Sequence, residues 1–167
     1  MMADHESLSG FASSDAIAIP DSHLRLVPFR ASERAYAALA AIILEVHPEW
    51  ARPASHLPYQ DQSRPSYCAH ERWFVVDGHR VVGAANCSHL VWAFNPQHFI
   101  LNIGLAKGIP NRVWHAIHAL IVDHISDFNP TKLVLIALAN RPHEIEALSA
   151  LGYAHKTTCP RSQLDVA

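Results

Sequence analysis

Thirteen of the 167 residues are histidine, and several lie where their ring nitrogens can do chemistry. His89, in the run CSHLVW, falls late in a strand candidate, and an imidazole of ordinary pKa, about 6.5, suits a general base. Cys87 stands two residues earlier and shares its strand face, a nucleophile–base spacing that lacks a third, orienting residue. The plainer reading makes both of them core residues, with His89 hydrogen-bonded and partly buried. His115 and His118, three apart on a helix candidate, share a face and can bind a metal, with His143 and Glu144 as further donors. No HExxH or CxxC accompanies them, so no metal site is expected. His124 lies near the apolar stripe of the same helix and reads as structural. Asn102 interrupts an apolar strand, and its amide needs a partner, ligand or backbone, if it is buried. Tyr153 follows a helix-ending glycine and can pack its ring in the core while its hydroxyl reaches a site.

The elements that carry these residues are legible in the periodicity. Residues 1–22 are rich in Ser, Ala and Asp and read as a flexible leader, with the folded domain over 23–167. HLRLVPF alternates as a short strand over 23–29. Ser32 is placed to cap a helix in which Tyr36, Leu39, Ile43 and Val46 recur at helical spacing, and which ends at His47–Pro48. Residues 48–70 hold four prolines (Pro48, Pro53, Pro58 and Pro65), which predicts an irregular loop with one short helical turn, a binding element or lid as readily as a connector. RWFVVDGHRVVGAANCSHLVWAF predicts a hairpin about Asp77-Gly78. FILNIGL predicts a strand over 99–105, and RVWHAIHALIVDHI a helix with Val113, Ile117, Leu120 and Ile121 on one face. KLVLIALA, over 132–139, has the continuous apolar character of a strand buried on both sides. Pro142 opens a helix that Gly152 closes, and residues 163–166 suit a last strand. The order β-α-loop-β-β-β-α-β-α-β implies an α/β fold. Its sheet is mixed and mostly antiparallel, six- or seven-stranded, with helices on both faces. The 99–105 strand is expected inside the sheet and parallel to 132–139, through a right-handed crossover.

Composition narrows the function classes. Half of the residues are hydrophobic, 17% are charged and the net charge is −2, with no Lys/Arg run, so neither disorder nor sequence-independent nucleic-acid binding is expected. Cys68, Cys87 and Cys159 are too few and too scattered for a disulfide framework and suit a reducing compartment. Asp4 and Glu6 stand where a signal peptide would need positive charge, and no apolar stretch is long enough for a membrane span, which makes the cytoplasm the expected location.

In this order, three segments resemble the GCN5-related N-acetyltransferase family over most of residues 23–166. WFVVDGHRVVGAA looks like the family's central hairpin, FILNIGLAKGIPNRVWHAIHAL like its strand–loop–helix that holds acetyl-CoA, and ANRPHEIEALSALGY like its late helix. The resemblance implies an acetyl transfer from acetyl-CoA to a small amine. Asn102, Ile103, Gly104 and Leu105 would then line the pantetheine. Lys107, Gly108 and Arg112 would lie near the phosphates, at a helix N-terminus whose free N–H groups favour anions. Asn140 caps the late helix and takes the place of a residue that can also contact the cofactor. His89 and Tyr153 are the candidates for proton transfer. A homodimer is a further implication. The family's loop reads Arg/Gln-x-x-Gly-x-Gly/Ala. In this chain Pro110, Val113 and His115 take its Arg/Gln, first Gly and second small position, and Leu148 takes the place of a frequent tyrosine acid. Two alternatives therefore stand beside acetyl transfer: a domain of this fold that has lost CoA and serves as a binding or structural module, and CoA-independent chemistry in the same cleft.

Overall fold

The computed structural model describes residues 15–136 and 142–154, and the chain divides into two compact units, 1–136 and 137–167. The first unit carries a six-stranded sheet in the order β1-β2-β3-β4-β5-β6. Its elements are β1 (Ile17–Ala18), β2 (Arg25–Pro28), α1 (Glu33–Val46), α2 (His56–Gln62), β3 (His70–Asp77), β4 (Arg80–His89), β5 (His98–Leu105), α3 (Asn111–His124) and β6 (Lys132–Leu135). The described part of the second unit holds α4 (Pro142–Ala150). Neighbouring strands are antiparallel except β5 and β6, which are parallel across α3, so the mixed α/β sheet expected from the sequence is the one found.

The run WFVV in β3 shows why the sheet has two covered faces. Trp73 and Val75 pack with α3 through Val113, Ile117 and Ile121, whereas Phe74 and Val76 pack with α1 through Tyr36, Leu39 and Ile42. Period-2 geometry sends alternate residues to opposite sides, and both sides are apolar because a helix covers each. Ile117 and Ile121 are fully buried, each worth about 1.5–3 kcal/mol of apolar burial. α1 starts where its cap predicts, with the Ser32 hydroxyl accepting from the Ala35 N–H at 3.1 Å.

Several boundaries differ from the sequence expectation. The stretch assigned to the leader contains β1, which pairs Ile17 with Leu26, and the next residue, Ile19, is only 1% exposed. Its signal is the short apolar run 16–19, too brief to stand out beside a Ser-rich leader. In the β3–β4 hairpin the connecting pair is Gly78–His79, since Asp77 still pairs with Arg80, and Gly78 supplies the positive φ of +55°. The proline-rich stretch holds two helical pieces rather than one, a 3₁₀ turn at Pro48–Trp50 and α2. β6 is described from Lys132 to Leu135, and residues 137–139 of the strand expected over 132–139 lie outside the described residues. The last strand expected at 163–166 lies outside the described residues. Among the described residues no helix is long and apolar enough to cross a membrane.

Candidate active site

The parallel ladder between β5 and β6 runs from His98↔Lys132 to Leu101↔Leu135, whereas the β4–β5 ladder continues to Gly83↔Leu105. The last four residues of β5, Asn102 to Leu105, thus keep β4 on one side and have no paired strand on the other among the described residues. Backbone direction along β5 alternates. The Ala106 N–H bonds the Val82 carbonyl on the β4 side, and the Gln97 carbonyl accepts from Thr131 and Lys132 on the β6 side. Even-numbered residues therefore turn their backbone groups to β4 and odd-numbered ones to β6. Among the described residues no strand pairs with Ile103 or Leu105 on the β6 side, and a strand edge of that kind accepts an extended ligand as it would another strand. The Ile103 carbonyl has a partner from α3: the Trp114 indole Nε1–H donates to it at 3.4 Å, a long bond.

The turn that follows is closed by the Ile109 N–H on the Ala106 carbonyl, with Gly108 at φ +93°, a conformation that suits glycine. A Cβ at Gly108 would touch nothing, so the turn is open on that side. α3 begins at Asn111 behind Pro110, which gives no side-chain cap. The Asn111 and Arg112 N–H groups head the helix, where no intrahelical acceptor exists, and the exposed Lys107 and Arg112 side chains flank them. Val113 is helical and 2% exposed in the core, and the positive φ of this segment falls instead at Gly108 in the turn before it. The described residues therefore fit an acyl-CoA: a strand edge that no described strand covers for its pantetheine arm, and helix N-terminal N–H groups with two cations for its phosphates.

The other side of this edge is polar. On the face of the sheet covered by α1 and α2, cross-strand partners run in three rows over β3, β4 and β5: Phe74–Ala84–Gly104, Arg72–Asn86–Asn102 and His70–Ser88–Ile100. The first row lies under α1, close enough that a Cβ at Gly104 would meet Val46 Cγ2 at 2.7 Å and the His47 ring at 2.9 Å. The His47 Nδ1 lies 3.5 Å from Glu49 Oε1, and its ring stacks on Trp50 with centroids 4.3 Å apart. The second and third rows are tied to α2 by Asp61. Its carboxylate accepts from Arg72 at 2.8 and 3.1 Å and from the Tyr36 hydroxyl at 2.8 Å, and the His70 Nδ1 stands 3.5 Å away. Burial works to raise the Asp61 pKa, but the hydrogen bonds and charge of Arg72 outweigh it and hold the carboxyl low. Burial, then the charges of Arg72 and Arg64, push the His70 ring down to about 4. The His70 Nε2 and Asn102 Oδ1 atoms are buried without a hydrogen-bond partner among the described residues.

No family model matches the chain, and no curated protein does. Solved structures do. A ribosomal-protein-alanine N-acetyltransferase from Brucella melitensis biovar Abortus 2308 superposes with TM-score 0.62 at 14% identity, over 84% of this chain and 99% of that one. AAC(6')-Iy in complex with the bisubstrate analogue CoA-S-monomethyl-acetylneamine gives 0.60 at 11%, over 86% and 100%. A transcriptional regulator from Bacillus halodurans C-125 gives 0.63 at 9%, over 83% and 99%. The chain has the fold of the GCN5-related N-acetyltransferases.

Within that acetyltransferase fold the residues singled out in the sequence separate clearly. His89 is 5% exposed, with Nδ1 accepting from the Ala69 N–H at 3.0 Å and Nε2 on the Pro96 carbonyl at 3.1 Å. Both ring nitrogens are engaged with backbone, and the ring lies on the α3 side of the sheet beside Phe99. That is a structural histidine, not a poised base. Cys87 is buried on the same side, and burial, with Glu71 nearby, raises its thiol to about 12. Asn102 and Gly104 turn their backbone to β4, so of the four residues expected to line the pantetheine only Ile103 and Leu105 offer it backbone groups. Trp114 stacks on His118 at 5.6 Å, and burial, with His115 beside it, lowers the His118 pKa. Among the described residues no group of three or more His, Cys, Asp or Glu can hold a metal ion. Tyr153 follows α4 in the second unit, its N–H on the Leu148 carbonyl at 3.1 Å, and Asn140 lies outside the described residues. Asp61, His70, Arg72 and Asn86 escaped the sequence reading. The signal for His70, Arg72 and Asn86 is a polar residue at alternate positions early in β3 and late in β4, which hides beside the apolar run of Trp73 to Val76, whereas Asp61 on α2 has none.

Proposed function

We propose that the protein transfers an acetyl group from acetyl-CoA to a small amine. The observation that carries this reading is that, among the described residues, no strand pairs with Ile103 and Leu105 on the β6 side, directly before a turn and a helix N-terminus. Ile103 and Leu105 would hold the pantetheine arm, the turn at Lys107 and Gly108 with Arg112 would hold the phosphates, and acetyl-CoA would supply an activated acyl thioester. Gly104 keeps the strand slim under His47, and the polar rows on the α1 and α2 face offer the amine its contacts. Asn140 keeps the cofactor contact that the family resemblance gives its position, and Tyr153 stays a candidate for proton transfer. The structure solved with a CoA-derived bisubstrate analogue supports the cofactor by likeness of fold. Cys68 and Cys87 are free thiols, which suits a reducing cytoplasm.

Titration of the protein with CoA tests the reading. Saturable heat at micromolar CoA, followed by thiol release from acetyl-CoA when an amine is added, is the expected result. Silence in both would remove the proposal. A second reading, a domain of this fold without CoA, is favoured by one contact, the Trp114 indole on the Ile103 carbonyl. That contact fills part of the strand edge a cofactor would need.

A further inference from the structure

The end of α1 brings an imidazole ring onto the backbone of β5. His47 closes the helix with its own N–H, which donates to the Ile43 carbonyl at 2.7 Å, and any residue but proline serves for that. The ring is not needed for the cap, yet it is held on several sides. Its Nδ1 stands 3.5 Å from Glu49 Oε1, an ion-pair separation, with both side chains largely withdrawn from water. Trp50 stacks on it with centroids 4.3 Å apart and planes 26° from parallel, which fixes the tilt of the ring. On the sheet side, a Cβ at Gly104 would come within 2.9 Å of the His47 Cδ2 and 3.0 Å of its Nε2. Glycine inside a strand weakens it, and here the missing side chain is what admits the ring. With a carboxylate on its Nδ1 side, the neutral ring carries its proton there, and Nε2, on the Gly104 side, is the accepting nitrogen.

We propose that His47 is the general base of the acetyl transfer, taking the proton of the attacking amine at Nε2, with Glu49 as its positioning residue. The inference rests on the transfer reading above. Gly104 lies between Ile103 and Leu105, whose backbone groups face the side that no described strand covers. A thioester arm seated there as an added strand would run about 4.8 Å from β5, and the ring overhangs β5 at that level. The amine comes between the two. Its nitrogen attacks the thioester carbonyl carbon, the N–C bond forms and the C–S bond breaks. The proton lost from nitrogen passes to Nε2, and the Glu49 carboxylate offsets the charge of the imidazolium. The ring then gives that proton to the departing thiolate, so the amide and the CoA thiol leave and His47 is neutral again. His89, the base expected from the sequence, has both ring nitrogens on backbone groups and cannot take this part.

The test measures thiol release from acetyl-CoA by the full chain with glycinamide, 1,5-diaminopentane and glucosamine, and follows the variants with whichever amine reacts fastest. His47→Gln should lower kcat by about a hundredfold or more, with the KM for acetyl-CoA and calorimetric CoA binding unchanged. Glu49→Gln, which keeps the ring and its stack on Trp50, should lower kcat by less and leave the same two quantities unchanged. Nitrogen-15 NMR of the free protein, with the His47 signals assigned by their loss in His47→Gln, should show the neutral ring protonated on Nδ1. Undiminished kcat in His47→Gln, or a proton on Nε2 of the neutral ring, would overturn the base and leave the transfer reading standing. If His47→Gln melts early, Glu49→Gln decides: a lowered kcat with CoA binding intact upholds the pair, and an unchanged kcat overturns it. No thiol release by the unaltered chain with any of these amines would remove the transfer reading, and the base with it.

Discussion

Replacing Trp114 by phenylalanine removes one N–H donor and keeps an aromatic ring against His118. The bond lost is the 3.4 Å contact to the Ile103 carbonyl, at the long end for N–H···O. A typical intramolecular hydrogen bond contributes about 0.5–1.5 kcal/mol, and the length of this one puts it in the lower half, about 0.5–1 kcal/mol. In the free protein that much stability goes. In the complex the Ile103 carbonyl is needed for the pantetheine arm, so the cofactor no longer has to displace the indole. The same energy then returns as affinity, and CoA should bind roughly two- to fivefold more tightly. Calorimetric titration reads the affinity, and urea unfolding of the free protein reads the cost. Weaker or unchanged CoA binding, with the fold intact by circular dichroism, would refute the idea that the indole competes for this edge.

Val113→Gly, which restores the family's glycine, should cost about 2.5–4 kcal/mol in urea unfolding. It removes a core side chain and adds a helix glycine, and it should bring no gain in CoA affinity. Stability should fall as pH drops from about 6.5 towards 4, because the unfolded chain protonates His70 before the folded one does. The effect reaches about 2–3 kcal/mol, and thermal melts of the His70→Asn protein should show a flatter profile over that window. Cys87, with its thiol raised to about 12, should resist iodoacetamide at pH 8 in the native protein and react on unfolding, as mass spectrometry would show.

Long, strongly patterned elements were readable from sequence because burial imposes their periodicity. α1 and α3 carry apolar stripes with the expected phase, and β3 to β5 follow as a meander because Gly78 turns the first hairpin and each strand buries at least one face. β1 was not readable, since a two-residue pairing leaves no period. The site was legible only in part. Asn102 stood out because an amide in an apolar strand demands an explanation. His89 looked like a base because type and position were all that could be seen, and the Ala69 N–H and Pro96 carbonyl that occupy its nitrogens come from loops. Val113 looked like a defect because alignment assigns it a glycine's place, yet the helix has already begun there. Asp61 gave no signal at all: its three partners come from α1 and β3, at sequence separations that no local pattern encodes.

That last carboxylate also bears on the order in which the chain becomes protease-resistant. Asp61 can find its hydrogen bonds only after Tyr36 on α1 and Arg72 on β3 are both in place, so before the sheet exists α2 has only the apolar contact of Leu57 with α1. Residues 48–70 should accordingly be the last part of this region to gain protection from amide exchange and the first to lose it. Clipping by a protease would begin in this segment and leave the β-meander standing. The segment over the polar rows would thus open by local unfolding, at a free energy set by the Asp61 hydrogen bonds together with the buried Leu57 side chain.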